Sequence, residues 1–256
     1  MKILLAIPCY NCERQIERVI QNLDAIQTDS IDEIIFINNN SSDQTAAMIQ
    51  RRAKGQIKRK ATLLNNHKNY GLGASFKIAF RYSLENRFDY FLFFHGDDQA
   101  STDDINLLSN EVRRTPHLSA VLGSRFASQS RLEGYSSIRK HGNIFLNFIF
   151  SLLTGLTITD IGSGINIYRT KDLESLKIQL WPNHIAFDIN LLLGLIEAKK
   201  QFIFMPVSWR EQDQVSNAGN IKTGLTVLLM LIKWKLGLKN HSTRWDQTYS
   251  FERITL

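Results

Sequence analysis

The residues of this chain best placed to do chemistry lie in one stretch, Phe93-Phe94-His95-Gly96-Asp97-Asp98-Gln99, where an apolar run stops abruptly at carboxylates and an amide. The run over 89–94 reads as a buried central strand of a parallel sheet, because nearly every position is apolar. Open α/β sheets bind ligands just beyond the carboxyl ends of their strands, which is where Asp97, Asp98 and Gln99 fall. Clustered oxygen ligands there suit a hard divalent cation, Mg2+ or Mn2+, which in turn holds phosphates. The competing reading is an acidic helix cap, since Asp103 and Asp104 follow.

The elements that must position this stretch alternate along the first half. Residues 2–7 are strand-like, and 13–26 carry helical spacing at Ile16, Val19, Ile20 and Leu23. A strand over 31–37, a helix over 43–54 and a short strand over 61–64 follow. Next come a helix over 73–85, with Ala74, Ile78 and Ala79 inward, and the strand over 89–94. A helix over 103–114 and a strand over 120–123 complete the half. This order predicts a doubly wound α/β fold, a mostly parallel central sheet flanked by helices.

The second half carries apolar helices. Residues 143–158 are apolar except for Asn143, Asn147, Ser151 and Thr154, which recur at helical spacing. Nearer the C-terminus, Leu225, Leu228, Leu229, Ile232 and Leu236 form an apolar face bounded by Lys222, Lys233 and Lys235, with Trp234 between. Basic flanks and a tryptophan suit a helix lying in a membrane interface; core or dimer packing is the other reading. The expected division is a catalytic domain over 1–220, then an amphipathic helix and tail over 221–256. The tail from residue 240 onward shows no pattern.

A chain of 256 residues with 43% hydrophobic content supports one large, fully cored domain. A formal charge of +7 and a pI near 9.4 favour a polyanionic partner: nucleic acid, nucleotide phosphates or an anionic membrane surface. A nucleic-acid binder would show a basic stripe with interleaved aromatics, or a known motif. Here the basic residues are scattered, apart from Arg51-Arg52 and Lys58-Arg59-Lys60. The N-terminus is apolar for only five residues before Pro8, short for a signal peptide. No run approaches the roughly 20 apolar residues that span a bilayer. The expected location is cytoplasmic, on the inner face of the membrane. Cys9 and Cys12 form a C-x-x-C in a strand-to-helix turn, where a redox dithiol would also sit. Two thiols are too few for a structural zinc, and Pro8, Tyr10, Asn11 and Glu13 around them fit another reading better.

That reading comes from further motifs at strand ends. Pro8-Cys-Tyr10-Asn-x-Glu13 follows the first strand, and Asn38-Asn39-Asn40-Ser41-Ser42-Asp43-x-Thr45 the second. Asn69-Tyr-Gly71-Leu-Gly73 opens a helix whose bare N–H groups could meet an anion. Gly123-Ser124-Arg125, Asp160-Ile-Gly-Ser163-Gly164 and Arg210-x-x-Asp213-x-x-Ser216 lie further on. In this order they resemble the family 2 glycosyltransferases of GT-A nucleotide-sugar fold, and among these the dolichyl- or polyprenyl-phosphate sugar synthases. The resemblance runs from about Ile3 to Ser216.

The resemblance implies that Pro8, Tyr10, Glu13, Asn39, Gly71, Gly73, Asp97 and Asp98 contact the nucleotide-sugar donor. It implies that Asp97 and Gln99 hold the metal. Ser124, Arg125, Arg139, Ser163 and Ser216 are the implied acceptor contacts, and Asp97, Asp160 and Arg210 the catalytic set. Two departures stand out: the family's paired Asp after strand two is Asn38-Asn39, and the first Asp of D-x-D is His95. An amide donates as well as accepts, so base preference shifts with it. Imidazole is a poor magnesium ligand, though manganese tolerates nitrogen better; a ribose partner or a plain strand-end histidine are the other readings of His95.

The implied reaction is attack by an acceptor oxygen on the anomeric carbon of the donor, as in cell-surface glycan synthesis. A lipid monophosphate is already ionised at neutral pH and needs guiding cations, for which Arg125, Arg131, Arg139 and Lys140 are candidates. A sugar hydroxyl would need a carboxylate base, Asp160 or Asp188. The apolar helix over 143–158 favours a lipid-linked acceptor over a non-lipid saccharide. A catalytically silent nucleotide-sugar binder is the third reading, against which Asp97, Gln99 and Arg210 all stand.

Overall fold

The computed structural model of the chain describes residues 1–23, 26, 30–184, 186–213, 220–238 and 248–256. In chain order the elements are β1 (Ile3–Cys9), α1 (Glu13–Asn22), β2 (Glu33–Asn38), α2 (Thr45–Gln56), β3 (Lys60–Asn66) and α3 (Leu72–Glu85). They continue with β4 (Tyr90–Phe94), α4 (Asp103–Arg114), β5 (Ala120–Ser124), β6 (Arg131–Glu133), α5 (Ser137–Thr154) and β7 (Ile165–Arg169). The last are α6 (Thr170–Glu174), α7 (Phe187–Glu197), β8 (Phe202–Pro206), β9 (Ser208–Arg210), α8 (Asn220–Lys235) and β10 (Phe251–Thr255).

Eight strands form one sheet in the order β10-β3-β2-β1-β4-β7-β5-β8. The central strands carry no hydrophobic alternation because both faces are covered. On β1, Leu4 and Ala6 enter one core while Ile3, Leu5 and Ile7 enter the other, and β4 splits Phe91 and Phe93 from Tyr90, Leu92 and Phe94 in the same way. Phe76 of α3 fills the first core, its ring 5.1–5.3 Å from those of Phe91, Phe93, Tyr168 and Phe187.

Three features depart from the sequence expectation. β7 enters between β4 and β5 antiparallel to both. The tail, which shows no pattern in sequence, returns as β10 and pairs antiparallel with β3. A boundary at residue 220 would therefore cut β10 away from the rest of the sheet. The helix expected over 143–158 begins earlier, at Ser137, and ends at Thr154, where Gly155 takes the left-handed conformation. Among the described residues, no helix is long and apolar enough to cross a membrane.

Strand order reverses between β1 and β4, with β2 and β3 on one side and β7 on the other. Such a reversal opens a crevice at the carboxyl ends of the two strands. The strands stay close there because residue 96 is glycine: the Gly96 N–H donates to Pro8 O at 3.0 Å, and a Cβ would lie 2.8 Å from Cys9 Sγ.

Candidate active site

On the β1 side the motifs that follow β1 and β2 hold each other. Asn11 N–H donates to Ser41 Oγ at 3.0 Å and Cys12 N–H to Thr45 Oγ1 at 2.9 Å. Glu13 N–H donates to Asp43 Oδ2 at 3.1 Å, and Gln44 N–H returns to Glu13 Oε2 at 3.0 Å. Asn11 and Asn40 adopt positive φ, which asparagine tolerates in such turns. Pro8 is buried within β1, Glu13 caps this junction, and Tyr10 is left projecting, a ring available for stacking. Cys9 and Cys12 are buried and free, and burial pushes the Cys9 thiol well above its ordinary value. Burial of both thiols keeps them from the solvent access that a redox dithiol needs.

Asn39 does not face the cleft. Its Oδ1 accepts from Tyr70 N–H at 3.0 Å and Asn66 Nδ2 at 3.1 Å, and its Nδ2 donates to Asn69 Oδ1 at 2.8 Å. The amide thus fixes the loop before α3. Gly71 and Gly73 are likewise packed: Cβ atoms there would meet Asn183 O at 2.3 Å and the Phe187 ring at 2.7 Å. These glycines seat the loop before α7 on the start of α3.

At the end of β4, the Asp97 carboxylate is a third exposed, and its Oδ1 accepts from Gln99 N–H at 3.2 Å. Asp98, by contrast, is buried at positive φ and spent on two arginines. Its Oδ2 takes Arg18 Nε at 2.6 Å, its Oδ1 takes Arg210 Nη2, and its carbonyl takes Arg210 Nε at 3.0 Å. Asp98 is therefore the anchor of Arg210. Arg18 also grips Asp213, Nη2 to Oδ1 at 2.7 Å. No motif marks Arg18, which in sequence is one more polar position on an amphipathic helix.

His95 lies beside Asp97, Nδ1 to Oδ2 3.9 Å, with its ring edge-on to Phe93. Burial works against its protonation, but Asp97 and Asp188 outweigh burial and hold the imidazole above its ordinary value. Burial raises the Asp188 carboxyl, against the pull of His95 and Arg125.

Arg125 ends β5 over a buried counter-charge. Asp160 Oδ2 accepts from Arg125 N–H at 2.9 Å and Nε at 2.8 Å, and its Oδ1 from Nη2 at 2.9 Å and Gly162 N–H at 3.0 Å. With both oxygens spent and the side chain fully buried, Asp160 is a holder of Arg125 and not a free base. The guanidinium packs against the rings of Phe126, Tyr135 and Trp209, leaving Nη1 without a hydrogen-bond partner among the described residues. Arg139 packs on the same Tyr135 ring at 4.7 Å and binds both oxygens of Glu211 at 2.6 Å. Tyr135, Trp209 and Glu211 carry no sequence signal of this role.

Ser124 and Ser163 lie beneath the cleft. The Ser124 hydroxyl accepts from Phe126 N–H, and that of Ser163 donates to Ile165 O at 3.1 Å. Both are buried beneath the cleft. Ser216 lies outside the described residues.

The donor set fits a divalent cation bound together with phosphates. Among the described residues no three His, Cys, Asp or Glu side chains form a preassembled site. One accessible carboxylate and one amide at a strand end are the sparse protein ligation that Mg2+ and Mn2+ accept when substrate oxygens supply the rest.

The model of Glycosyl transferase family 2 matches residues 5–177, so the chain belongs to that family. It is similar to the UDP-N-acetylglucosamine–dolichyl-phosphate N-acetylglucosaminyltransferase of Methanococcus voltae, 24% identical over 92% of this chain and 96% of the other. It is also similar to the undecaprenyl-phosphate mannosyltransferase of Micrococcus luteus, 22% identical over 83% of this chain and 85% of the other. Among solved structures, glucosyl-3-phosphoglycerate synthase from Mycobacterium tuberculosis superposes with a TM-score of 0.68 at 15% identity, covering 93% of this chain and 81% of that one. The protein is accordingly a glycosyltransferase with the GT-A fold.

Proposed function

We propose that this protein transfers a sugar from a nucleotide-sugar donor to a polyprenyl phosphate or other lipid-linked acceptor, with a divalent metal and at a membrane surface. The observation that carries this is Arg125: a cation with one free guanidinium nitrogen, fixed by the buried Asp160, near the start of a helix with an apolar outer face. On α5, Ile138, Phe145, Phe148 and Leu152 are 86%, 61%, 60% and 67% exposed. Lys235 of α8 donates to Leu153 O at 2.8 Å, and Leu225, Leu229 and Leu236 of that region add further exposed apolar surface. An apolar patch rimmed by Lys233, Lys235 and Lys140 suits an anionic lipid surface.

Tyr10 and the Glu13 junction are the proposed donor-base end of the cleft, and Asp97 with Gln99 would hold Mg2+ or Mn2+. When bound, such a cation neutralises the negative charge on the donor's diphosphate. Arg210, aimed by Asp98, adds charge-assisted hydrogen bonds to the same oxygens as they become the leaving group. Arg125 orients the acceptor phosphate, whose ionised oxygen attacks the anomeric carbon without a protein base. The M. tuberculosis neighbour, a glucosyl-3-phosphoglycerate synthase solved with phosphoglyceric acid, motivates a second reading, a small phosphorylated acceptor at the same arginine. An acceptor panel tests the choice. Sugar should move to polyprenyl phosphate in mixed micelles and not to free saccharides; product from phosphoglycerate alone would establish the second reading.

A further inference from the structure

The ion cluster beside Asp97 contains more cation than the proposed chemistry has used. Asp98 is 3% exposed, and each of its oxygens is taken by a different guanidinium, Arg18 and Arg210. One buried carboxylate thus holds two arginines side by side, next to the residue assigned to the metal. One positive charge is left over. Asp213 neutralises it from the solvent side, gripping Arg18 with both oxygens at 2.7 and 3.2 Å, while its carbonyl accepts from Gln15 Nε2 at 3.3 Å. Asp213 is 40% exposed and Arg18 35%. A two-oxygen grip on a guanidinium is the geometry a phosphate also adopts.

We propose that Arg18 is a second diphosphate-binding cation beside Arg210, and that the Asp213 carboxylate occupies its fork until a nucleoside diphosphate displaces it. The proposal rests on the transferase reading. The exchange is favourable because an exposed ion pair contributes no more than about a fivefold factor, whereas a diphosphate brings more charge and several charge-assisted hydrogen bonds. Asp98 is then the positioning residue for both arginines.

Calorimetric titration of the full chain with UDP, GDP, CDP and TDP, each with Mn2+, supplies the test, the tightest being carried to variants. Asp213→Asn removes a competitor and should tighten binding about threefold, a gain that a merely structural pair would not produce. Arg18→Gln should weaken binding about tenfold, with Arg18→Lys between, since lysine keeps the charge but not the fork. If Arg18→Gln does not fold, the solvent-side Asp213→Asn decides alone. Unchanged affinity in Asp213→Asn and both Arg18 variants, with binding lost in Asp97→Ala, would overturn this inference and leave the transferase reading standing. Absence of binding to any of the four nucleotides by the wild type would overturn both.

Discussion

Asp160→Asn keeps the shape of the side chain but removes its charge and turns one acceptor oxygen into a donor. In the native protein the two oxygens receive four donors at 2.8–3.0 Å, three of them from Arg125. The variant leaves the Arg125 guanidinium buried against aromatic rings without a counter-charge, and sets an N–H against an N–H. Removing one member of a buried pair costs about 3–5 kcal/mol. That is a large share of the roughly 5–15 kcal/mol that holds a domain folded. Urea denaturation should show the midpoint falling with an unchanged slope. The double variant Asp160→Leu with Arg125→Met removes both charges and should regain most of that stability, since apolar replacement of a whole buried pair is often neutral. It should still fail to use a phosphate acceptor. A loss below about 1 kcal/mol in Asp160→Asn, or acceptor turnover in the double variant, would refute the account of Arg125.

Gly71→Ala should destabilise by roughly 2 kcal/mol or more, because φ is +87° and the new methyl would lie 2.3 Å from Asn183 O; urea denaturation reads it. Burial raises the Asp104 carboxyl from 3.8 to about 6 while it accepts from Ser208 N–H at 2.8 Å. The native state therefore keeps this proton where the unfolded chain loses it, so stability falls as pH rises from about 4 to 6, by up to roughly 3 kcal/mol. Asp104→Asn should flatten that slope in urea midpoints taken across the window, and an unchanged slope would count against it. Sedimentation with anionic vesicles should carry the wild type to the pellet and leave Phe145→Ser with Phe148→Ser largely in the supernatant; equal partition would remove the docking face.

Much of the sheet is legible in the sequence because β1, β2 and β4 are continuous apolar runs that only a two-sided core explains. The position of Asp97 and Gln99 beyond the end of β4 follows from that pattern, whereas the other motif residues are legible only through the family resemblance. β7 is harder: Ile165–Arg169 is five residues long, and nothing local reports that it enters antiparallel. β10 is harder still, an edge strand with mostly exposed side chains, paired to β3 through its backbone and touching the core through Ile254. Within the site, residue types that suit ligands turned out to serve the scaffold. Asn39 braces a loop, Asp160 braces an arginine, Asp98 aims two, and Ser124 and Ser163 lie under the floor. Composition tells which groups can bind; only packing tells whether their hydrogen bonds are already spent. Arg18 shows the converse, a surface position on α1 whose importance comes from a carboxylate 80 residues away.

The most direct test of the central claim is sugar transfer from a nucleotide-sugar to polyprenyl phosphate in the presence of Mn2+, comparing the wild type with Asp97→Ala. The account predicts a labelled lipid product from the wild type, with one nucleoside diphosphate released per product, and loss of both in the variant. No lipid product with any donor, or equal product from Asp97→Ala, would contradict it.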